Sequence, residues 1–135
     1  MPAIGFQKRF VPLVESGEKR QTIRAMRKRP FVVGDRLYLY SGMRTKQCRK
    51  LGEASAIEVS TVRITRKGIG FEAEDGSFEA LLVEDPPPHK ESLCDYEAQQ
   101  DGFADFNEMI EWFEENHRLP FVGQKIRWFQ LEVTE

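Results

Sequence analysis

Residues 17–24, GEKRQTIR, set a turn-forming glycine ahead of a short run holding Lys19, Arg20, Arg24 and one hydroxyl at Thr22. How this run is read decides how the fold begins. Gly17 follows the apolar positions Phe10, Leu13 and Val14, and glycine is the expected residue just past a helix C-terminus because it tolerates positive φ. The segment therefore reads as helix, sharp turn, strand. Side chains alternate along a strand, so Lys19 and Thr22 would point to opposite faces. They meet only if Lys19 stays in the turn and the strand begins near Gln21. Thr22 and Arg24, two apart, share a face without special assumption.

Outward from this stretch, Ile4-Gly5-Phe6 reads as a short first strand. LYLYSG, after the turn Val33-Gly34-Asp35, is a second with β-favouring aromatics. GMRTKQCRKLG is either a long polar loop or a short helix. Ile57 to Ile64 is rich in β-branched residues, and Ile69 to Phe71 and Ser77 to Val83 follow as strands joined by Asp75-Gly76. EDPPPHKES, with three consecutive prolines, is a surface loop. Phe103, Phe106, Ile110 and Phe113 recur at steps of three and four, predicting an amphipathic helix that ends near His117. QKIRWFQLEV closes the chain as a strand. Five or six strands with flanking helices predict an α+β fold, a small, partly open β-barrel in one domain spanning residues 1–135.

At 135 residues the chain fits one core. Cys48 and Cys94 have neither CxxC nor Cys/His spacing, so neither a metal site nor a disulfide framework is expected, and a reduced cytoplasmic protein is. The N-terminus lacks a signal-peptide pattern, and no stretch approaches the ~20 apolar residues of a membrane span. Charge is unevenly spread: residues 1–50 hold thirteen Lys and Arg against three acids, and the remainder holds seven against nineteen. Such a split predicts either a basic face for an anion, nucleic acid being the commonest, or halves that neutralise each other across the fold.

Chemically, a free lysine with pKa ~10.4 is no base at neutral pH. Burial and neighbouring cations favour its neutral form, and Arg20 and Arg24 are at hand. So tuned, Lys19 could deprotonate Thr22 for attack on an acyl carbon. Asp101, ahead of the amphipathic helix, is a candidate acid or simply a cap.

Together SGEKRQTIR, VVGDRLYLYSGMRT, the strands that follow, DGF ahead of a helix, and LPFVGQKIRWF resemble the ASCH domain family, whose fold is a PUA-like β-barrel. The resemblance runs through nearly the whole chain, in the manner of stand-alone bacterial and phage-type members. It implies binding of RNA or a modified nucleoside in a cleft beside the barrel. Some small bacterial members are amidohydrolases that deacetylate N4-acetylcytidine with a lysine, a threonine and a glutamate, without metal or cofactor. The pattern G-x-K-x-x-T-I-R puts the lysine at Lys19, the threonine at Thr22 and the closing arginine at Arg24, which would steady negative charge or a phosphate. The glutamate falls on Asp101, one methylene shorter; Glu74 and Glu97 are alternative acids.

Further ligand contacts are expected from Arg20, Arg44, Ser41 and Tyr40, the last able to stack a base or to pack on a helix. The run Arg27, Lys28 and Arg29 is either solvated or a phosphate contact. Three functions stay open: a metal-independent amidohydrolase acting on a nucleobase amide, a non-catalytic RNA-binding module and a ribonuclease.

Overall fold

The computed structural model describes residues 3–73, 75, 77–82 and 93–132. The strands are β1 (Ala3–Phe6), β2 (Gln21–Ala25), β3 (Arg36–Ser41), β4 (Arg49–Thr65), β5 (Gly68–Glu72), β6 (Phe78–Leu82) and β7 (Phe121–Trp128). The helices are α1 (Val11–Ser16), entered through a 3-10 turn at Lys8–Phe10, α2 (Leu93–Gln100) and α3 (Phe106–Asn116). The fold is α+β, with a seven-stranded sheet where five or six strands were expected.

β4, 17 residues long, is the spine. Its first part pairs with β3, its second with β7 from Ala56 to Ile64, and its end with β5. Among the described residues the strand pairings are antiparallel except β1 beside β3. β1 pairs with β3 and β2 with β7, and β1 and β2 do not pair with each other. Among the described residues the sheet is therefore not closed, and a seam lies between those two strands. Alternation explains the layers: Leu37 and Leu39 of β3 are fully buried while Tyr38 and Tyr40 are half-buried. On β7, the Trp128 ring meets Phe6 of β1 edge-on, and Phe121 packs on Phe113 of α3 at 4.8 Å.

The opening stretch folds as read. α1 ends at Gly17, whose φ is 85°, and β2 begins at Gln21, leaving Lys19 in the turn. Elsewhere the boundaries differ. The last residues of GMRTKQCRKLG are not loop or helix but the start of β4. The helix expected from Phe103 begins at Phe106, because the Asp105 side chain caps it by accepting the Glu108 N–H at 2.9 Å. The closing strand is shifted toward the N-terminus, with Glu132 only bridging to Glu53. The proline-rich EDPPPHKES loop lies outside the described residues, as do Glu74 and Val83.

α2 was not expected, and it repositions Asp101. Cys94 and Ala98, which it buries, are too small to print a strong apolar period. The Gly102 N–H donates to Gln99 O at 3.1 Å and the Phe103 N–H to Ala98 O at 2.9 Å. This paired arrangement ends helices with a left-handed glycine. Asp101 thus sits at the C-terminal end of α2, not at a helix N-terminus with free N–H groups. Gly102 has φ 97°, and a Cβ there would lie 3.1 Å from Phe10 Cδ1 and 3.3 Å from both Leu13 Cδ1 and Lys19 Cδ. Gly102→Ala is expected to destabilise the fold by about 1–3 kcal/mol in urea denaturation, combining a strained φ with crowding of the Lys19 stem.

Candidate functional site

The seam opens into a cleft of about 450 Å³, a size suited to a small ligand. Lys19, Thr22, Arg24 and Asp101 all line it. The turn after Gly17 aims Lys19 inward: its backbone N–H bonds Leu13 O at 2.9 Å, and its side chain runs past Gly102 to Asp101. Lys19 Nζ donates to Asp101 Oδ1 at 3.1 Å and to the Asp101 main-chain carbonyl. Both side chains are almost fully buried, at 3% and 7% exposure. The ammonium also lies 5.0 Å from the Phe10 ring centroid and 5.8 Å from that of Phe6.

Burial dominates the electrostatics. It pushes the Lys19 pKa down against the pull of Asp101, and Arg24 and Arg9 push it further. It pushes the Asp101 carboxyl up, opposed by Lys19, Arg24 and Gln21. Both directions favour a neutral amine beside a neutral acid. The Gln21 amide nitrogen, buried and without a well-formed hydrogen bond, stands close enough to favour the carboxylate. Arg24 is lowered to about 10 by burial, offset by Asp101. His117, also in the cleft lining, is lowered by burial and then by Arg24.

Arg24 ties the seam together. Its Nη2 donates to Gly5 O of β1 at 2.7 Å, and its Nε donates to Thr22 Oγ1 at 3.0 Å. Thr22 therefore has Arg24, rather than Lys19, as its hydrogen-bond donor. One lone pair of the hydroxyl is engaged and its proton is left to be given elsewhere.

An aromatic wall faces these polar groups. Phe10, Phe103 and Trp112 pack edge-on or tilted with centroids 5.4–5.8 Å apart. Trp112 Nε1 donates to Gln7 Oε1 at 3.0 Å, and Gln7 Nε2 donates to Asn116 Oδ1 at 3.0 Å, pinning the segment after β1 to α3. No role at a site was expected from the sequence for Phe6, Gln7, Phe10 or Trp112. The usable signal was that Trp112 lies beside the Phe106–Ile110–Phe113 stripe rather than on it.

Other expected contacts lie elsewhere. The Arg20 guanidinium turns away, donating from Nε to Gly17 O at 2.9 Å and lying over Phe129 in a separate groove. The turn before β2 aims Lys19 inward and its neighbour Arg20 outward. Tyr40 and Ser41 lie on β3, across β1 from the seam, and Arg44 is exposed in the loop beyond; none lines the cleft. Glu97 is engaged by Lys125 at 3.1 Å. Arg27 does line the cleft, with its guanidinium 4.7 Å from the Phe31 ring centroid.

The charge split is resolved partly by neutralisation across the fold. Arg9 pairs with Glu108, Lys19 with Asp101, and Arg36 with Glu53 and Glu132. Among the described residues, no group of three or more His, Cys, Asp or Glu is placed to hold a metal ion. No helix there is long and apolar enough to cross a membrane. No family model matches the chain, and neither does any curated protein or solved structure.

Removing one partner of the buried pair leaves the other without its hydrogen bond and without the opposite charge that supports its ionised form. Lys19→Met alone is expected to destabilise the fold by about 1–3 kcal/mol in urea denaturation, and adding Asp101→Asn, which cannot ionise, should recover part of it. The pH dependence follows the same shifts. Asp101, raised in the fold, keeps protons that the unfolded chain has lost, so stability falls as pH rises from 3.8 through its folded pKa. Lys19, lowered in the fold, loses its proton first, so stability returns as pH rises from its folded pKa toward 10.5. The unfolding free energy of the wild type minus that of the double variant should trace this trough.

Proposed function

We propose that the cleft is the active site of an ASCH-type, PUA-like domain that hydrolyses an acyl amide on a nucleobase, with N4-acetylcytidine as the model substrate. The observation that carries the reading is the meeting of Lys19, Thr22, Asp101 and Arg24 around one aromatic-walled cleft. The open seam between β1 and β2 is compatible with a partly open barrel of that type. Aromatic side chains suit a base.

The reaction uses one mobile proton in the Lys19–Asp101 pair. In its neutral form, Lys19 takes the hydroxyl proton of Thr22 while Oγ1 attacks the acyl carbon. The Arg24 Nε–H steadies Thr22 Oγ1 as its proton leaves. The C–N bond breaks, and the exocyclic nitrogen takes its proton from Asp101. This leaves an acyl ester on Thr22, an ammonium on Lys19 and a carboxylate on Asp101. Water then attacks the ester, giving a proton to Asp101, while the Thr22 oxygen recovers its own from Lys19. The carboxylic acid departs and the neutral pair is restored. Aspartate fits because it follows a helix C-terminus that turns directly onto Lys19 at Gly102.

A second reading keeps the cleft as a binding module for RNA or a nucleoside. It is favoured by one observation, that the Thr22 hydroxyl is held by Arg24 and not by the presumed base. Steady-state assays on acylated nucleosides separate the two. The enzyme reading expects cytidine from N4-acetylcytidine, loss of turnover to background in Thr22→Ala, and a drop of about 10²–10⁴-fold in Lys19→Met. kcat/KM should be bell-shaped in pH. It falls in acid, when both members of the pair are protonated, and in alkali, when neither is. Both limbs should lie inside those of an ordinary carboxylate and ammonium. No product from any acylated nucleoside, with binding retained in Thr22→Ala, would leave the binding module.

A further inference from the structure

The edge of β2 that borders the seam presents main-chain groups as well as side chains, and the register with β7 says which. The Trp128 N–H donates to Arg20 O at 2.9 Å, and Thr22 and Arg24 stand opposite Ile126 and Gln124. Opposed residues in an antiparallel pair alternate between exchanging both main-chain bonds and exchanging none. Counting from Arg20, the main-chain groups of Thr22 and Arg24 bond β7. Those of Gln21, Ile23 and Ala25 turn to the other edge. That edge has no strand partner among the described residues, and Ile23 and Ala25 line the cleft.

We infer that the Ile23 main-chain N–H is the oxyanion donor of this cleft, a proposal that rests on the acyl-transfer reading above. The Thr22 oxygen and the Ile23 nitrogen are joined through the Thr22 Cβ, Cα and carbonyl carbon. An acyl carbon bonded to Oγ1 therefore brings its own oxygen close to that N–H. An N–H from the residue after the nucleophile serves this purpose in other acyl-transfer sites. Two of the Arg24 N–H groups are already engaged, Nε by Thr22 Oγ1 and one Nη2 hydrogen by Gly5 O. The free edge of β2 supplies a separate donor for the carbonyl oxygen, held in place by the strand. As the Oγ1–C bond forms, the C=O π pair moves onto oxygen and is met by the N–H. When the C–N bond breaks, the pair returns to the carbonyl and the donor relaxes to a weaker contact. Ile23 is 6% exposed, so the donor acts where water competes little, and its place in a strand means that it need not reorganise.

The test removes the N–H in two ways. Replacing Ile23 by its α-hydroxy acid analogue puts an ester oxygen where the nitrogen stood and keeps the side chain. Ile23→Pro does the same genetically, at an edge position where proline breaks no ladder bond. Each is expected to lower kcat on N4-acetylcytidine by about 10²–10³-fold, with KM and the thermal midpoint little changed. An ester variant that folds and keeps the unmodified kcat overturns the inference while leaving the acyl-transfer reading intact. If Ile23→Pro does not fold, the ester variant decides alone. An unmodified protein inactive on every acylated nucleoside overturns both together.

Discussion

The Lys19–Asp101 pair is the contact on which the rest of the site depends. It joins the turn before β2 to the end of α2, two segments 82 positions apart in sequence, with both side chains almost fully buried. Both groups are held where their charged forms are costly, so the pair is a strained arrangement by ordinary measures of stability. Its hydrogen bonds to both the carboxylate and the main-chain carbonyl of Asp101 fix the ammonium within the wall of the cleft. The two glycines beside it are what allow the approach. Gly17 holds Lys19 in the turn, and Gly102 brings the Asp101 backbone against the lysine stem.

The second constraint is the open seam. A fully paired sheet would satisfy every edge but leave no room beside Thr22. Here β1 and β2 stay apart, and Arg24 reaches across to Gly5 in place of a ladder bond. The same side chain holds the Thr22 hydroxyl, so the width of the seam and the orientation of that hydroxyl are set by one guanidinium. The aromatic wall of Phe10, Phe103 and Trp112 closes the other side. Edge strand, arginine bridge and aromatic wall together make a cleft that is polar on one face and apolar on the other.

Much of this was legible in the sequence, and the limits have physical causes. The glycine past a helix end, followed by a strand two residues beyond Lys19, was readable because Gly17 and the apolar spacing before it are local signals. The grouping of Lys19, Thr22 and Arg24 followed from the same turn. Asp101 could be named but not placed, because α2 buries small residues and prints no strong period. The ligand contacts expected from Tyr40, Ser41 and Arg44 missed the cleft because strand order is non-local: β3 is separated from the seam by β1. Arg20 missed it for a local reason, since the turn that turns Lys19 inward turns its neighbour outward. The charge asymmetry suggested a basic face, yet several of those cations meet acids from the other half.

The most direct measurement is the titration of Lys19 itself, by NMR of its side-chain Nζ and Cε nuclei in the intact protein. The account predicts that Lys19 loses its proton below the ordinary 10.5 of a lysine, and that its resonances also respond to the titration of Asp101. A Lys19 that stays fully charged beyond 10.5, insensitive to Asp101, would contradict the shared-proton pair and the base it is meant to supply.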